Sequence, residues 1–494
     1  MAALAFEARA FTGSLTLRPG EPLERPLEAG RSHTYDVALT PGPWRFELDQ
    51  EDIDVVVEVS GPADESLLAV DSPFDRRGAE TALVEVAAAG VHRVVVRSRE
   101  PTATDGRYTI RVDRLPPEPR LLAAERAMTE ASRLYLEGTP AAWRQALDAY
   151  ARARQAFDAL GREHAVARAL YTGAVVHRLV RENARALELD REVLLLFRDL
   201  GDHVFLANTV NEMGLNRWHL GETASARSSF QRAAQLQRLA GHRWGEAVAS
   251  ANLCLMDLVE GDLRAGARCY EDAVALLNDV RATDLAATAL SNAGRAYDLM
   301  GEPGKALASY DEALARVRAL GDRVKEARTL NNLGVLQRET GELQDALTSF
   351  DQALEVFQEA GDSRWQATVL SNVGVVYRYL GQVEQALVHF EQALALGREV
   401  GNPRGEAAAQ VNLGLIQRRL RRPREARDSL ARALTAWRAL GDRREEALTL
   451  AHLGRVAMDL DDASTSVDLL GQGAAILGES GDRFHEACPF GKRA

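Results

Sequence analysis

Residues 329–334 read TLNNLG, and altered copies recur as SANLC at 250–254, LSNAG at 290–294, LSNVG at 370–374, QVNLG at 410–414 and LAHLG at 450–454. A polar side chain, most often an amide, sits inside an apolar helical stretch, two places before a small residue. Sliding the chain against itself by 40 residues aligns the copies, and a fixed period of roughly 20–50 residues marks a stack of like units. Glycine falls in one column at Gly161, Gly201, Gly241, Gly321, Gly361, Gly401, Gly441 and Gly481, broken by Arg281. A second small-residue column runs Gly214, Cys254, Gly294, Gly334, Gly374, Gly414, Gly454, and a third runs Gly221, Gly261, Gly301, Gly341, Gly381. Alanine adds Ala306, Ala346, Ala386, Ala426 and Ala313, Ala353, Ala393, Ala433, with Phe230, Tyr270, Tyr310, Phe350 and Phe390 between them.

Each column has a mechanical meaning. The Gly-Asp step (Gly321-Asp322, Gly361-Asp362, Gly441-Asp442) ends one helix with a residue that tolerates a left-handed backbone and starts the next with an N-cap acceptor. Asn402-Pro403 does the same with proline in the first helical position. The glycine of the third column ends the first helix of a pair, and the small residue seven places earlier lets the two helices approach closely. One unit is therefore a helix–turn–helix, and about nine such units fill residues 121–480, with the first two and the last degraded as terminal repeats tend to be.

The order Leu330, Leu333-Gly334, Gly341, Ala346, Phe350, Ala353 resembles the tetratricopeptide repeat. At 40 residues the unit exceeds that family's usual length of about 34, so a lengthened second helix is expected. The resemblance implies a superhelical solenoid whose first helices line a groove for a partner peptide. Asn252, Asn292, Asn332, Asn372 and Asn412 then form one column, with Glu212 and His452 at its ends. In related peptide-binding repeats an amide here faces the groove and bonds the ligand. The alternative is that each amide bonds the neighbouring helix, since a buried amide without partners costs a few kcal/mol. Arg328 lies one turn before Asn332 and Arg295 three residues after Asn292, while Arg338, Arg378 and Arg418 repeat at the 40-residue spacing. Such donors suit acidic side chains or a terminal carboxylate, or else form a solvated edge of the first helix, and Trp218 and Tyr379 read either as apolar anchors or as partly exposed packing.

Residues 1–114 read differently. Short alternating segments follow one another, as in WRFELD, where Trp44, Phe46 and Leu48 share one face and Arg45, Glu47 and Asp49 the other. About eight such segments, separated by turn residues, predict a β sandwich. HTYDVAL, IDVVVEVSGPADESLLAVDSP and GVHRVVVRS with GRYTIRV resemble the pre-peptidase C-terminal type of sandwich. That resemblance puts Asp54 and Asp71 among loop-facing acids, which read as a solvated loop, or as a cation site only if a third ligand joins them. LPPEPR, residues 115–120, reads as a semi-rigid linker, and 481–494 as a tail or the start of a further helix.

Bulk properties narrow the function. The net charge is −12, and residues 1–116 hold 13 Arg against 20 Asp plus Glu, so −7 of it lies there. A nucleic-acid binder shows a basic face instead. Three cysteines, Cys254, Cys269 and Cys488, are not expected to form a paired framework, lack zinc-site spacing and read as small apolar residues. No stretch approaches the roughly 20 apolar residues of a membrane span. The start, MAALAFEARAFTG, lacks a basic region before its apolar residues, so a cytoplasmic location is expected, or export if a signal precedes the true start. GEPGKALAS at 301–309 has two residues between its glycines where a phosphate loop has about four. The fold class expected is thus α+β multidomain, an all-β sandwich followed by an all-α repeat solenoid. The function expected is a non-enzymatic adaptor without cofactor, nucleic acid or membrane. A chain of this layout also resembles the sensor arm of caspase-like CHAT proteases; His485 and Cys488 lie close together as a dyad would need, and GDRFHEA equally reads as the start of a further helix.

Overall fold

The structure, a computed structural model, describes residues 15–28, 30–51, 55–70, 77–98 and 106–479. Asp54, Asp71, His485 and Cys488 lie outside the described residues. The chain divides into two compact units, Met1–Met300 and Gly301–Ala494.

Among the described residues the first unit has nine strands: β1 (Leu15–Leu17), β2 (Leu23–Leu27), β3 (Ser32–Leu39), β4 (Gly42–Glu51), β5 (Val55–Ser60), β6 (Ser66–Val70), β7 (Arg77–Val86), β8 (Gly90–Ser98) and β9 (Gly106–Arg114). They form two sheets, in the orders β1-β3-β8-β5-β6 and β2-β9-β4-β7. The alternation behaves as read: Trp44, Phe46 and Leu48 are buried, against Val94, Val96, Ile110 and Val112 from other strands. The Tyr35 and Tyr108 hydroxyls bond each other between the two sheets, and His33 Nδ1 lies 2.7 Å from the Tyr108 hydroxyl. The strand missing from the sequence reading is β2, whose Pro26 argues against a strand. Its position resolves the conflict, because β2 is an edge strand paired only with β9, and an edge tolerates proline.

Helices follow in pairs. The first unit holds α1 (Pro119–Leu136), α2 (Pro140–Asp158), α3 (Glu163–Leu179), α4 (Asn183–Asp199), α5 (His203–His219), α6 (Thr223–Leu239), α7 (Arg243–Val259), α8 (Leu263–Asp279) and α9 (Thr283–Leu299). The second holds α10 (Pro303–Leu320), α11 (Arg323–Thr340), α12 (Leu343–Glu359), α13 (Ser363–Tyr379), α14 (Val383–Glu399), α15 (Pro403–Arg419), α16 (Pro423–Leu440), α17 (Arg443–Asp459) and α18 (Ala463–Glu479). This is the β region followed by a tetratricopeptide-like solenoid. One expectation needs correction: the second helix is not the longer one. Helices α5 to α8 are 17 residues each, so the added length is shared by both members of a pair.

The proline segment after β9 is not a free spacer. Leu115 donates its N–H to Pro43 O at 3.0 Å, and α1 already starts at Pro119. Leu83 of β7 packs with Leu115 and Leu121, while its N–H donates to Thr129 Oγ1 of α1 at 3.0 Å. Apolar contact and a backbone hydrogen bond together dock the sandwich onto the first helix.

Both glycine columns do what their chemistry allows. Gly321 ends α10 at φ 70° and Gly341 ends α11 at φ 91°, in the left-handed region. Asp322 Oδ1 then accepts from Lys325 N at 2.9 Å, and Asp202, Asp362, Asn402 and Asp442 cap their helices in the same way. At Gly334 a β-carbon would lie 2.7 Å from Phe350 Cε1, and at Gly214 2.5 Å from Phe230 Cε1. The aromatic column thus fills the space that the small column leaves.

The cysteines depart from the sequence reading. Cys254 of α7 and Cys269 of α8 form a disulfide, with 5.3 Å between their α-carbons. Cys254 occupies the small-residue column, the surface of the first helix that meets the second, so a thiol there faces the partner helix of its own pair. The reading of both as isolated apolar residues is wrong for that reason.

Candidate functional site

Within each unit the first helices of successive pairs touch one another: α3 with α5, α5 with α7, α11 with α13, α13 with α15 and α15 with α17. The asparagine column lies along this series. Asn252 Nδ2 donates to Asn211 Oδ1 at 3.0 Å, Asn372 Nδ2 to Asn331 Oδ1 at 2.9 Å, and Asn412 Nδ2 to Ser371 Oγ at 3.3 Å. Each bond spans 41 positions, from one first helix to the first helix before it. Asn331 is buried, whereas Asn252, Asn332, Asn372 and Asn412 are half-buried. The amides therefore tie neighbouring repeats together and keep an accessible edge.

Position 251 is alanine, so Asn292 has no such partner and its amide lies beside the buried Tyr270 phenol, whose pKa burial raises. Position 411 is valine, and His452, last in the column, likewise lacks a polar tie there. Its Nδ1 is buried without a hydrogen-bond partner among the described residues. Burial, then Arg455, Arg418 and Arg378, push the His452 pKa down to about 4.

The arginines separate into distinct settings. Arg295 of α9 is exposed and forms no ion pair among the described residues. Arg328 is exposed too, with its guanidinium 5.1 Å from the Trp365 ring centre, and Trp365 stacks on Phe357 at 5.4 Å. Arg338 pairs with its neighbour Glu339 at 2.7 Å, and Arg418 with Asp459 of α17. Arg378 has no carboxylate partner among the described residues. It lies 5.0 Å from the ring centre of Tyr379, which is 62% exposed, and its Nε is buried without an acceptor.

The first unit treats charge differently. Arg178 pairs with Glu212 at 2.7 Å, and Arg227 with Asp257 at 2.7 Å and Glu260 at 2.8 Å. Beside the first pair, Asp190 of α4 is fully buried and accepts from Asn216 Nδ2 of α5 at 2.7 Å. Desolvation and then Glu212 raise its pKa well above the carboxylate range, and Asp190 Oδ1 and Asn216 Oδ1 are both left without a donor. Sequence reading missed this pair, although a signal existed: Asp190 stands in the column of Phe230, Tyr270, Tyr310, Phe350 and Phe390.

Among the described residues no group of three His, Cys, Asp or Glu side chains could hold a metal ion, and no helix is long and apolar enough to cross a membrane.

Family models of the tetratricopeptide repeat match residues 289–324 and 325–399. No curated protein matches the chain. Among solved structures, the apo form of the quorum sensor NprR from B. thuringiensis is similar at 15% identity and TM-score 0.50, over 65% of this chain and 89% of that one. BtubC from P. vanneervenii is 21% identical with TM-score 0.39, over 48% and 95% of the two chains. Aspartyl phosphate phosphatase F from Bacillus subtilis is 13% identical with TM-score 0.47, over 73% and 94%. The likeness to NprR is one of fold.

Proposed function

We propose that the helical array is a non-enzymatic docking scaffold that holds an extended segment of a partner protein along its first helices. The amide row carries this reading. Each tie uses one N–H, and a half-buried amide keeps a carbonyl and a second N–H for other partners. These groups recur once per repeat on rigid helices, a spacing suited to the main chain of an extended segment. On first helices of the second unit Arg328, Arg338, Arg378 and Arg418 are candidate donors and Tyr379 and Trp365 add aromatic surface, while Arg295 is a candidate donor on α9 of the first unit.

A pull-down from the native host tests the reading, comparing the wild-type chain with a triple variant carrying Arg328→Ala, Asn332→Ala and Arg378→Ala. A partner retained by the wild type and lost by a variant with unchanged circular dichroism is the expected result. Equal capture by both would reject the first-helix surface as the docking face.

A further inference from the structure

In the second unit, cationic charge and unpartnered buried polar atoms fall on three first helices. Arg378 on α13 has no carboxylate partner among the described residues and a buried Nε with no acceptor. His452 on α17 sits where the amide column ends and has a buried, unpartnered Nδ1. Between them on α15, Arg418 is held by Asp459. Arg419 Nη1, on the same helix, donates to Arg378 O at 3.2 Å and fastens α15 to α13 at this level. The charged groups acting on His452, taken over α13, α15, α16, α17 and α18, are Arg378, Arg418 and Arg455. All three are cationic, and Asp459, the carboxylate paired with Arg418, is already engaged. The arginines of α3 and α6 in the first unit, Arg178 and Arg227, are by contrast each matched by carboxylates.

We propose that Arg378, Arg418 and His452 receive a carboxylate of the docked segment, and that His452 takes up a proton as the carboxylate arrives. This rests on the docking reading above and adds the ligand's chemistry, its place in the array and a pH dependence. A carboxylate gives Arg378 the acceptor it lacks through a charge-assisted bond. It also reverses the electrostatics around His452. In the free protein, burial and three guanidinium groups hold the imidazole neutral, with its pKa near 4. A bound anion offsets those cations and stabilises the imidazolium. Proton uptake on binding means that affinity rises as pH falls between the pKa of the complex and that of the free protein. If the complex restores the ordinary value of about 6.5, affinity increases about tenfold between about pH 7.5 and pH 5.5.

The experiment uses the full chain and fluorescently labelled hexaglutamate and hexaglutamine peptides, with anisotropy at low salt. Hexaglutamate is expected to bind at least about tenfold tighter than hexaglutamine and to tighten about tenfold over that pH range. Arg378→Ala, or Arg378→Gln if the alanine variant is unstable, is expected to lose at least about tenfold. His452→Gln, which keeps an amide N–H but cannot take a proton, is expected to lose the pH response. Equal binding of the two peptides, or an unchanged Arg378 variant, overturns the site. A pH response that survives His452→Gln overturns the proton uptake. Host-partner capture that is lost in the triple variant but retained in Arg378→Ala, with no preference for hexaglutamate, sinks this inference and leaves the docking reading standing. Hexaglutamate binding at Arg378 without any host partner does the reverse.

Discussion

Asn372 reaches back across 41 positions to Asn331, donating its side-chain N–H to the buried carbonyl oxygen at 2.9 Å. The bond joins α13 to α11, so a residue type that weakens an isolated helix strengthens the contact between two repeats. Removing the donor strands Asn331 Oδ1, and an unsatisfied buried acceptor costs about 1–3 kcal/mol. Asn372→Ala is expected to destabilise the second unit by that amount, and Asn331→Ala combined with it by less than the sum of the single changes. Hydrogen exchange on α11 and α13 measures the effect locally, which suits an array whose unfolding need not be two-state.

The close approach at Gly334 gives a second prediction. A β-carbon there would lie 2.7 Å from Phe350 Cε1, so Gly334→Ala forces α11 and α12 apart or moves the ring. The expected cost is about 1–3 kcal/mol. In a Phe350→Ala background the same substitution should cost much less, and a thermal-melt double-mutant cycle reads the difference.

The Cys254–Cys269 disulfide closes a loop of 15 positions, which in the chain-entropy account stabilises by about 3 kcal/mol. The oxidised chain is expected to show one reactive thiol in denaturant instead of three, and to melt at a lower temperature after reduction. Cys254→Ser with Cys269→Ser should melt at the reduced temperature whether or not reductant is present.

Asp190 sets a pH dependence for the first unit. Its folded pKa is raised, so its contribution to stability is full below the unfolded carboxylate range and is lost as pH rises through the folded value. A proton on Asp190 Oδ1 also turns that partnerless acceptor into a donor. Asp190→Asn removes the titration while keeping an N–H for Asn216. The stability of the variant relative to wild type is therefore expected to rise with pH, by at most about 1.4 kcal/mol per pH unit. Melts from about pH 4 to pH 8 check this, and parallel curves would contradict it.

The repeats were legible because each glycine and cap column has a local cause that every unit repeats, as at Gly321-Asp322. The sandwich was legible where strands alternate. It failed at β2, because Pro26 is acceptable only on an edge and edges are not visible in one dimension. The disulfide lay hidden for a related reason: Cys254 fits a small-residue column, and only the packing of α7 on α8 turns it toward Cys269. Direction was the harder problem for the asparagines. A 40-residue spacing is compatible with facing a ligand or a neighbour, and the 41-position bonds at Asn252, Asn372 and Asn412 appear only once the first helices are stacked. His452 was visible as the column's last member, but its cationic surroundings come from Arg378 and Arg418 on other helices.

Photo-crosslinking tests the docking face most directly. A benzoylphenylalanine placed at Arg328 or Tyr379, on first helices, is compared in the native host with one at Glu355 or Glu391, both exposed on second helices. The first-helix positions are expected to crosslink to one and the same partner segment and the second-helix positions are not. Crosslinks to that segment from Glu355 or Glu391, with none from Arg328 or Tyr379, would contradict it.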